Sequence, residues 1–213
     1  MERVPTIALI AGISTFLLGF ILMGVLPWLG QSKIPMKSVE EIARDIPADF
    51  YQLAEDYPEE FRRAYGQPDA RSFAKALRLG REVYIAEACW HCHSQFVRPV
   101  SNEDLRFGPV STVEEYTNEM NLPHLFGTRR VGPDLIRESG KRSNDWHAAH
   151  FYEPRFVAPY SVMPSYRWFF DAQDRPNERG LAIIAYVQWL GSWRRTVPET
   201  IYNAEAIQKG EQP

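Results

Sequence analysis

The chain has two cysteines, and they stand together in Cys89-Trp90-His91-Cys92-His93. A C-x-x-C-H spacing sets two thiols where they can bond to the two vinyl groups of one porphyrin, and it offers the next imidazole to the iron from the same side. A thioredoxin-like dithiol would want a βαβ setting, and a zinc site would want a second ligand pair that no further cysteine supplies. The expected cofactor is one covalent haem c, with Cys89 and Cys92 holding the ring and His93 on the iron.

Of the five methionines, Met1 is the start, Met23 lies in an apolar run and Met36 follows it closely, which leaves Met120 and Met163 to reach the iron. Met163 sits in Val162-Met163-Pro164-Ser165-Tyr166, where a proline stiffens the loop, and it is the expected second ligand. Met120 reads as a packing residue. The rival ligand is a second imidazole from His124, His147 or His150. A His and Met pair leaves the iron no open position, so the group would carry electrons and not activate oxygen. Between the two ligands, Val131-Gly132-Pro133-Asp134-Leu135 places a proline carbonyl where it could accept the Nδ1 proton of His93 and fix its tautomer and ring plane. Arg98, Arg129, Arg130, Trp146, Tyr160 and Tyr166 are candidates for the edge or propionates of the ring, with Arg130 and Tyr166 taken as contacts. No residue is expected to act on a substrate.

Helices must position this set. Ser72 to Ala88 carries Phe73, Ala76, Leu77, Gly80, Val83 and Tyr84 at helical spacing and runs straight into Cys89. Asn177 to Trp193 is apolar on two sides and stops at Gly191, a C-cap residue. A shorter helix is expected near Ser143 to Tyr152. The rest is loop rich in Pro, Gly and Asn, without the alternation of a strand, so the fold class is all-α.

Before this domain, Thr6 to Leu29 is a run of 24 uncharged residues. At 1.5 Å per residue it reaches about 36 Å, enough to cross a hydrocarbon core of about 30 Å. Its length, with no small-residue cleavage site after it, points to one retained transmembrane helix, with Pro27 and Trp28 at the interface where the chain leaves the helix. Gly12, Gly19 and Gly24 allow close approach of neighbouring helices. From Lys33 to Arg71, charges and four prolines read as a solvated spacer with short helices, and Ser38 with Glu41 reads as a capping box. The expected organisation is an anchor over 1–32, a spacer over 33–71 and a haem domain over 72–213. Arg3 beside Glu2, against Lys33 and Lys37, decides no orientation. Covalent haem attachment on the oxidising side does: it puts the N-terminus in the cytoplasm and the domain outside. A net charge of −3 over 213 residues excludes the basic surface of a nucleic-acid binder.

In order and spacing, Gly80-Arg81 with Tyr84, Cys89-x-x-Cys92-His93, Gly132-Pro133-Asp134-Leu135, Met163-Pro164 and Ala185-Tyr186-Val187 resemble class I cytochromes c. The segment between Cys92 and Gly132 is longer than usual there. Cys92-His93-Ser94-Gln95-Phe96-Val97-Arg98-Pro99, Gly127-Thr128-Arg129-Arg130-Val131-Gly132-Pro133, Asp145-Trp146-His147-Ala148-Ala149-His150 and Met163-Pro164-Ser165-Tyr166 are similar to the mono-haem subunit II of the cbb-type, C-family haem-copper oxidases. That resemblance covers about Gly80 to Trp168. It implies a class I cytochrome c fold on a single N-terminal transmembrane helix in the bacterial inner membrane, with a periplasmic haem domain. It also implies partnership with a catalytic haem-copper oxidase subunit, other cytochrome c subunits and a soluble or membrane cytochrome c donor. The neighbouring readings are the cytochrome subunit of a nitric oxide reductase or another membrane redox complex and, in a different class, a haem sensor or assembly protein.

Overall fold

The computed structural model describes residues 3–127 and 129–194. Glu2, Thr128 and the last part of the expected haem domain, 195–213, lie outside the described residues. The fold is all-α: among the described residues extended pairing is limited to isolated bridges, such as Ser94 with Asp134.

Helix α1 (Arg3–Gln31) is long and apolar enough to cross a membrane and buries none of its side chains. It passes Pro27 instead of ending there. Proline lacks an N–H and its ring crowds the carbonyl four residues back, which ordinarily breaks a helix. Here the turn Ile21–Val25 is widened to a π-helix, with Leu26 N–H donating to Ile21 O, so the register shifts just ahead of the proline. Six residues past Gln31 the chain is already fastened to the rest of the protein. Lys37 donates to Thr117 O (3.2 Å) and accepts from Glu119 N (3.0 Å), and Val39 N donates to the Glu119 carboxylate at 3.0 Å.

Three short helices follow: α2 (Val39–Ile42), α3 (Ala48–Asp56) and α4 (Pro58–Tyr65). The Ser38–Glu41 capping box is present in both directions. The helices expected in this segment are there, but the segment is not a solvated spacer. Phe50, Leu53 and Phe61 are fully buried and belong to one core with the later helices, with the Phe50 ring 4.8 Å from that of Phe73. Polar ties run the same way: Tyr57 Oη donates to Asp145 at 2.7 Å, Arg175 pairs with Glu60 at 3.2 Å, and Arg78 pairs with Glu40. The reason is amphipathic: each short helix turns one or two large apolar side chains inward and leaves its charges in water.

The frame of the domain is the pair α5 (Ala70–Ala86) and α8 (Glu178–Trp189). Helix α5 starts with a reciprocal cap, Asp69 accepting from Ser72 N (2.8 Å) and Ser72 Oγ accepting from Asp69 N (2.9 Å). Helix α8 starts on Asn177, whose side chain accepts from Arg179 N and Gly180 N, and every residue from Gly180 to Trp189 is buried. The two cross at Gly80: a Cβ there would drive into Ala182 O and the Tyr186 side chain. Past the end of α8, Gly191 takes φ +90°, the left-handed turn that its place in the sequence foretells. Two smaller helices, α6 (Glu103–Phe107) in the long segment after the cysteines and α7 (Asn144–Tyr152), complete the domain.

Leu53 tests the role of the 33–71 segment. Leu53→Ala should destabilise the fold by about 2 to 5 kcal/mol, as for a core leucine, read as a lowered denaturant midpoint. A solvated spacer would lose less than about 0.5 kcal/mol.

Candidate functional site

At the end of α5, Ala88 takes φ +55°, and the chain turns sharply into a 3₁₀ turn over Cys89–His91. His93 N closes the motif by donating to Cys89 O at 2.9 Å. The turn brings both thiols and the imidazole to one cavity of about 620 Å³, within the range of small-molecule and cofactor sites. Met163 reaches the same cavity from its proline loop, and α8 closes it with Ile183 and Val187.

A second loop holds the imidazole. Gly132 N donates to Cys92 O (2.9 Å), Leu135 N donates to Ser94 O (2.8 Å), and between them Pro133 O lies 2.9 Å from His93 Nδ1. A carbonyl only accepts, so Nδ1 carries the proton and Nε2 is left as a lone-pair donor. Burial pushes the His93 pKa down, and the hydrogen bond to Pro133 opposes that, so the ring is neutral at pH 7. Gly132 has to be glycine: a Cβ would occupy the space of the His93 ring. Gly127, at φ +70°, likewise lies against His93 O and Ser94.

What fixes the two loops together is the buried Asp134 carboxylate. It accepts from Ser94 Oγ (2.6 Å), Phe96 N (2.8 Å) and Ile136 N (2.9 Å). Arg130 lies beside it, 3.5 Å away, and forks onto Glu103 at 2.6 and 2.7 Å while also donating to Ser94 Oγ and Phe96 O. The hydrogen bond from Arg130, together with those from Arg98, outweighs desolvation and holds the Glu103 carboxyl down at about 2.

Arg130 does not line the cavity, because its guanidinium is turned into the Glu103, Ser94 and Phe96 cluster. Tyr166 does not line it either: it stacks on Phe169 at 5.3 Å. Arg98 pairs with Glu103, whereas Trp146 and Tyr160 do face the cavity. Among the rival ligands, His124 is stacked on Phe126 away from the site, and Met120 is buried in the core with its carbonyl bound by Arg81. His147 and His150 line the cavity. Burial pushes their pKa values down to about 3 and about 4, so both are neutral, and His147 Nε2 and His150 Nδ1 have no hydrogen-bond partner among the described residues. Spacing alone does not reveal Asp134 as the clamp or the buried Glu103; Asp134 stands within Gly132-Pro133-Asp134-Leu135, but its partners Phe96 and Ser94 lie 38 and 40 residues away.

The residues fit a haem better than the other readings. Burial pushes the Cys89 thiol up to about 12, the opposite of a reactive dithiol. Among the described residues no three His, Cys, Asp or Glu side chains gather as a metal cluster. A flat apolar ring with a polar edge suits an apolar cavity that has unpartnered imidazole nitrogens in its wall, thiols at one side, and an imidazole and a thioether directed to it. An all-α domain in which a C-x-x-C-H turn and a methionine loop share one apolar cavity is of the cytochrome class. Residues 68–180 match the family model for the mono-haem subunit of cytochrome c oxidase, FixO, and the chain belongs to that family. The match runs from the cap of α5 to the first turn of α8, and the family implies one haem and a place in a cytochrome c oxidase complex. No curated protein matches the chain.

Two measurements follow from the loop clamp. Gly132→Ala pushes a methyl group at the imidazole and should cost about 1 to 3 kcal/mol, seen as a lower melting temperature and less haem per chain. The folded pKa of Glu103 lies below its unfolded value of about 4.3, so its contribution to stability is complete above that value. It should fade as pH falls toward about 2, and Glu103→Gln should remove the stability change in that window of an acid titration.

Proposed function

We propose that this chain is a membrane-anchored mono-haem c-type cytochrome subunit that relays electrons to the catalytic subunit of a cbb-type cytochrome c oxidase. The observation that carries it is the single cavity shared by Cys89, Cys92, Met163 and a His93 ring tied to Pro133 O, inside the span that matches the family. A haem bound there supplies reversible one-electron chemistry at iron.

The chain's own residues do the rest. Cys89 and Cys92 would hold the ring through thioethers. His93 Nε2 and Met163 Sδ would ligate its iron, and such a pair would leave no open position for oxygen and raise the potential relative to two imidazoles. Pro133 keeps the proton on Nδ1 and so keeps Nε2 basic. Ile183, Val187 and Leu135 line the cavity with apolar surface that would keep water from the ring and so favour the less charged, reduced state. No substrate bond is made or broken on this chain; oxygen reduction belongs to the partner.

The anchor is α1. It supports a single pass through the bacterial inner membrane, and haem attachment on the oxidising face supports a cytoplasmic N-terminus and a periplasmic domain. The partners on this reading are the catalytic haem-copper subunit, other cytochrome c subunits of the complex and a cytochrome c donor.

Denatured, acetone-extracted protein should retain its haem and give the pyridine haemochrome of two thioether links; complete release of haem would overturn covalent attachment. Met163→Leu should abolish the weak methionine-to-iron band at the red end of the ferric spectrum and lower the potential. If carbon monoxide binds the wild-type ferrous protein tightly, the iron has an open position and a sensor replaces the relay.

A further inference from the structure

Glu138 has no part in the iron-binding set, yet it lies in the wall of the same cavity. It is only 9% exposed, and no ion pair or hydrogen bond to its carboxylate is found among the described residues. Buried carboxylates are ordinarily paired, because desolvation of the charge is costly. The backbone also keeps it in place: Glu138 N donates to Leu135 O (3.1 Å), Lys141 N donates to Glu138 O (3.0 Å), and the neighbouring Ser139 N donates to Leu190 O (2.9 Å).

The surroundings give it weak compensation. Lys141 and Arg142, from its own loop, are the cations whose fields reach it. Lys141 Nζ is turned toward Phe107 O (3.4 Å), and the Arg142 guanidinium lies over the Trp146 ring at 5.0 Å. Helix α7 presents His147 and His150, both neutral, and its Asp145 is bound to Tyr57 Oη. Helix α8 presents Ile183 and Val187, with the uncharged Gln188 engaged by Gly140 N and by Arg142 O. The methionine loop presents Tyr160, Ser161 and Val162, and the other loop presents Val131, Gly132 and the neutral His93. The charge that changes in this cavity is therefore the iron's.

We propose that Glu138 is a proton-binding site linked to the electron: its carboxylate takes up one proton from solvent when iron in the cavity is reduced, and returns it on oxidation. The inference rests on the haem reading above. The balance is Fe³⁺ + e⁻ + Glu138–COO⁻ + H⁺ giving Fe²⁺ + Glu138–COOH, with no other reactant. Ferric iron carries one more positive charge than ferrous iron, so it stabilises the carboxylate, and reduction withdraws that support. Burial raises the Glu138 pKa above the ordinary carboxylate range, which moves the exchange toward neutral pH.

The test is spectroelectrochemical titration of the full-length haem protein in detergent from about pH 5 to 9, the side of the ordinary glutamate value toward which burial shifts the group. The midpoint should fall with rising pH across one window, with a limiting slope of about 59 mV per tenfold change in proton concentration for a one-electron couple. Glu138→Gln should flatten that window and hold the potential near the low-pH value of the wild type, and Glu138→Asp should restore a slope. Redox-difference infrared spectra should lose the carbonyl stretch of a protonated side-chain carboxyl in the Gln variant. An unchanged slope in a haem-loaded Gln variant would overturn the proposal and assign the proton to the ring's own carboxyls. If the variant does not load haem, the wild type with isotope-labelled glutamate decides: the protonated band must shift, and an unshifted band overturns the proposal. A wild-type protein without haem would fail the reading of the site itself.

Discussion

The site depends on one buried anion. Asp134 accepts from groups on both loops that flank His93 and has Arg130 beside it, so its charge is compensated by a cation and by hydrogen bonds from both sides. With that clamp in place, the Pro133 carbonyl has a single position relative to the imidazole. Without it, two loops joined only by a few backbone hydrogen bonds would have to hold a ligand's orientation on their own. The Glu103–Arg130 fork extends the clamp into the long segment after the cysteines and ties α6 to the same point. That segment can be long because its start and its end are fixed by this cluster.

Helices α5 and α8 provide the rigid frame, and Gly80 lets them approach closely enough that Tyr186 reaches Gln95, the residue two past His93, at 3.1 Å. The frame and the clamp are thus joined through one buried hydrogen bond. Helices α3 and α4 brace the other side. Through Tyr57 and Asp145 they touch α7, which carries the two neutral histidines of the cavity wall. A part of the chain that looks remote from the chemistry therefore sets the position of one cavity wall.

Local chemistry was legible in the sequence because local spacing dictates it. The C-x-x-C-H turn, the capping box at Ser38, the helix starts near Asn177 and Ser143, the glycine after α8 and the all-helical character all depend on neighbours within a few residues. Long-range polar pairing was not legible. An arginine two residues before Gly132 suits an anionic ligand and a buried carboxylate equally, and only the fold shows that Glu103 takes Arg130. The segment 33–71 was misread because prolines and charges outnumber its few large apolar residues. Phe50 and Leu53, three apart on one helical face, were the signal that it folds back onto the core. Pro27 was misread as an end because a widened turn cannot be seen in composition.

The short link between α1 and the domain has a mechanical consequence. Five residues separate Gln31 from Lys37, where the chain is pinned to Thr117 and Glu119. Fully extended, such a link spans roughly 20 Å, so with α1 in a bilayer the domain is mounted near the surface and not held on a flexible leash. A domain so mounted cannot shuttle between distant stations. On the proposed reading its exchange partners would have to meet it at one fixed height, and the electron's route past it would be set by assembly and not by diffusion.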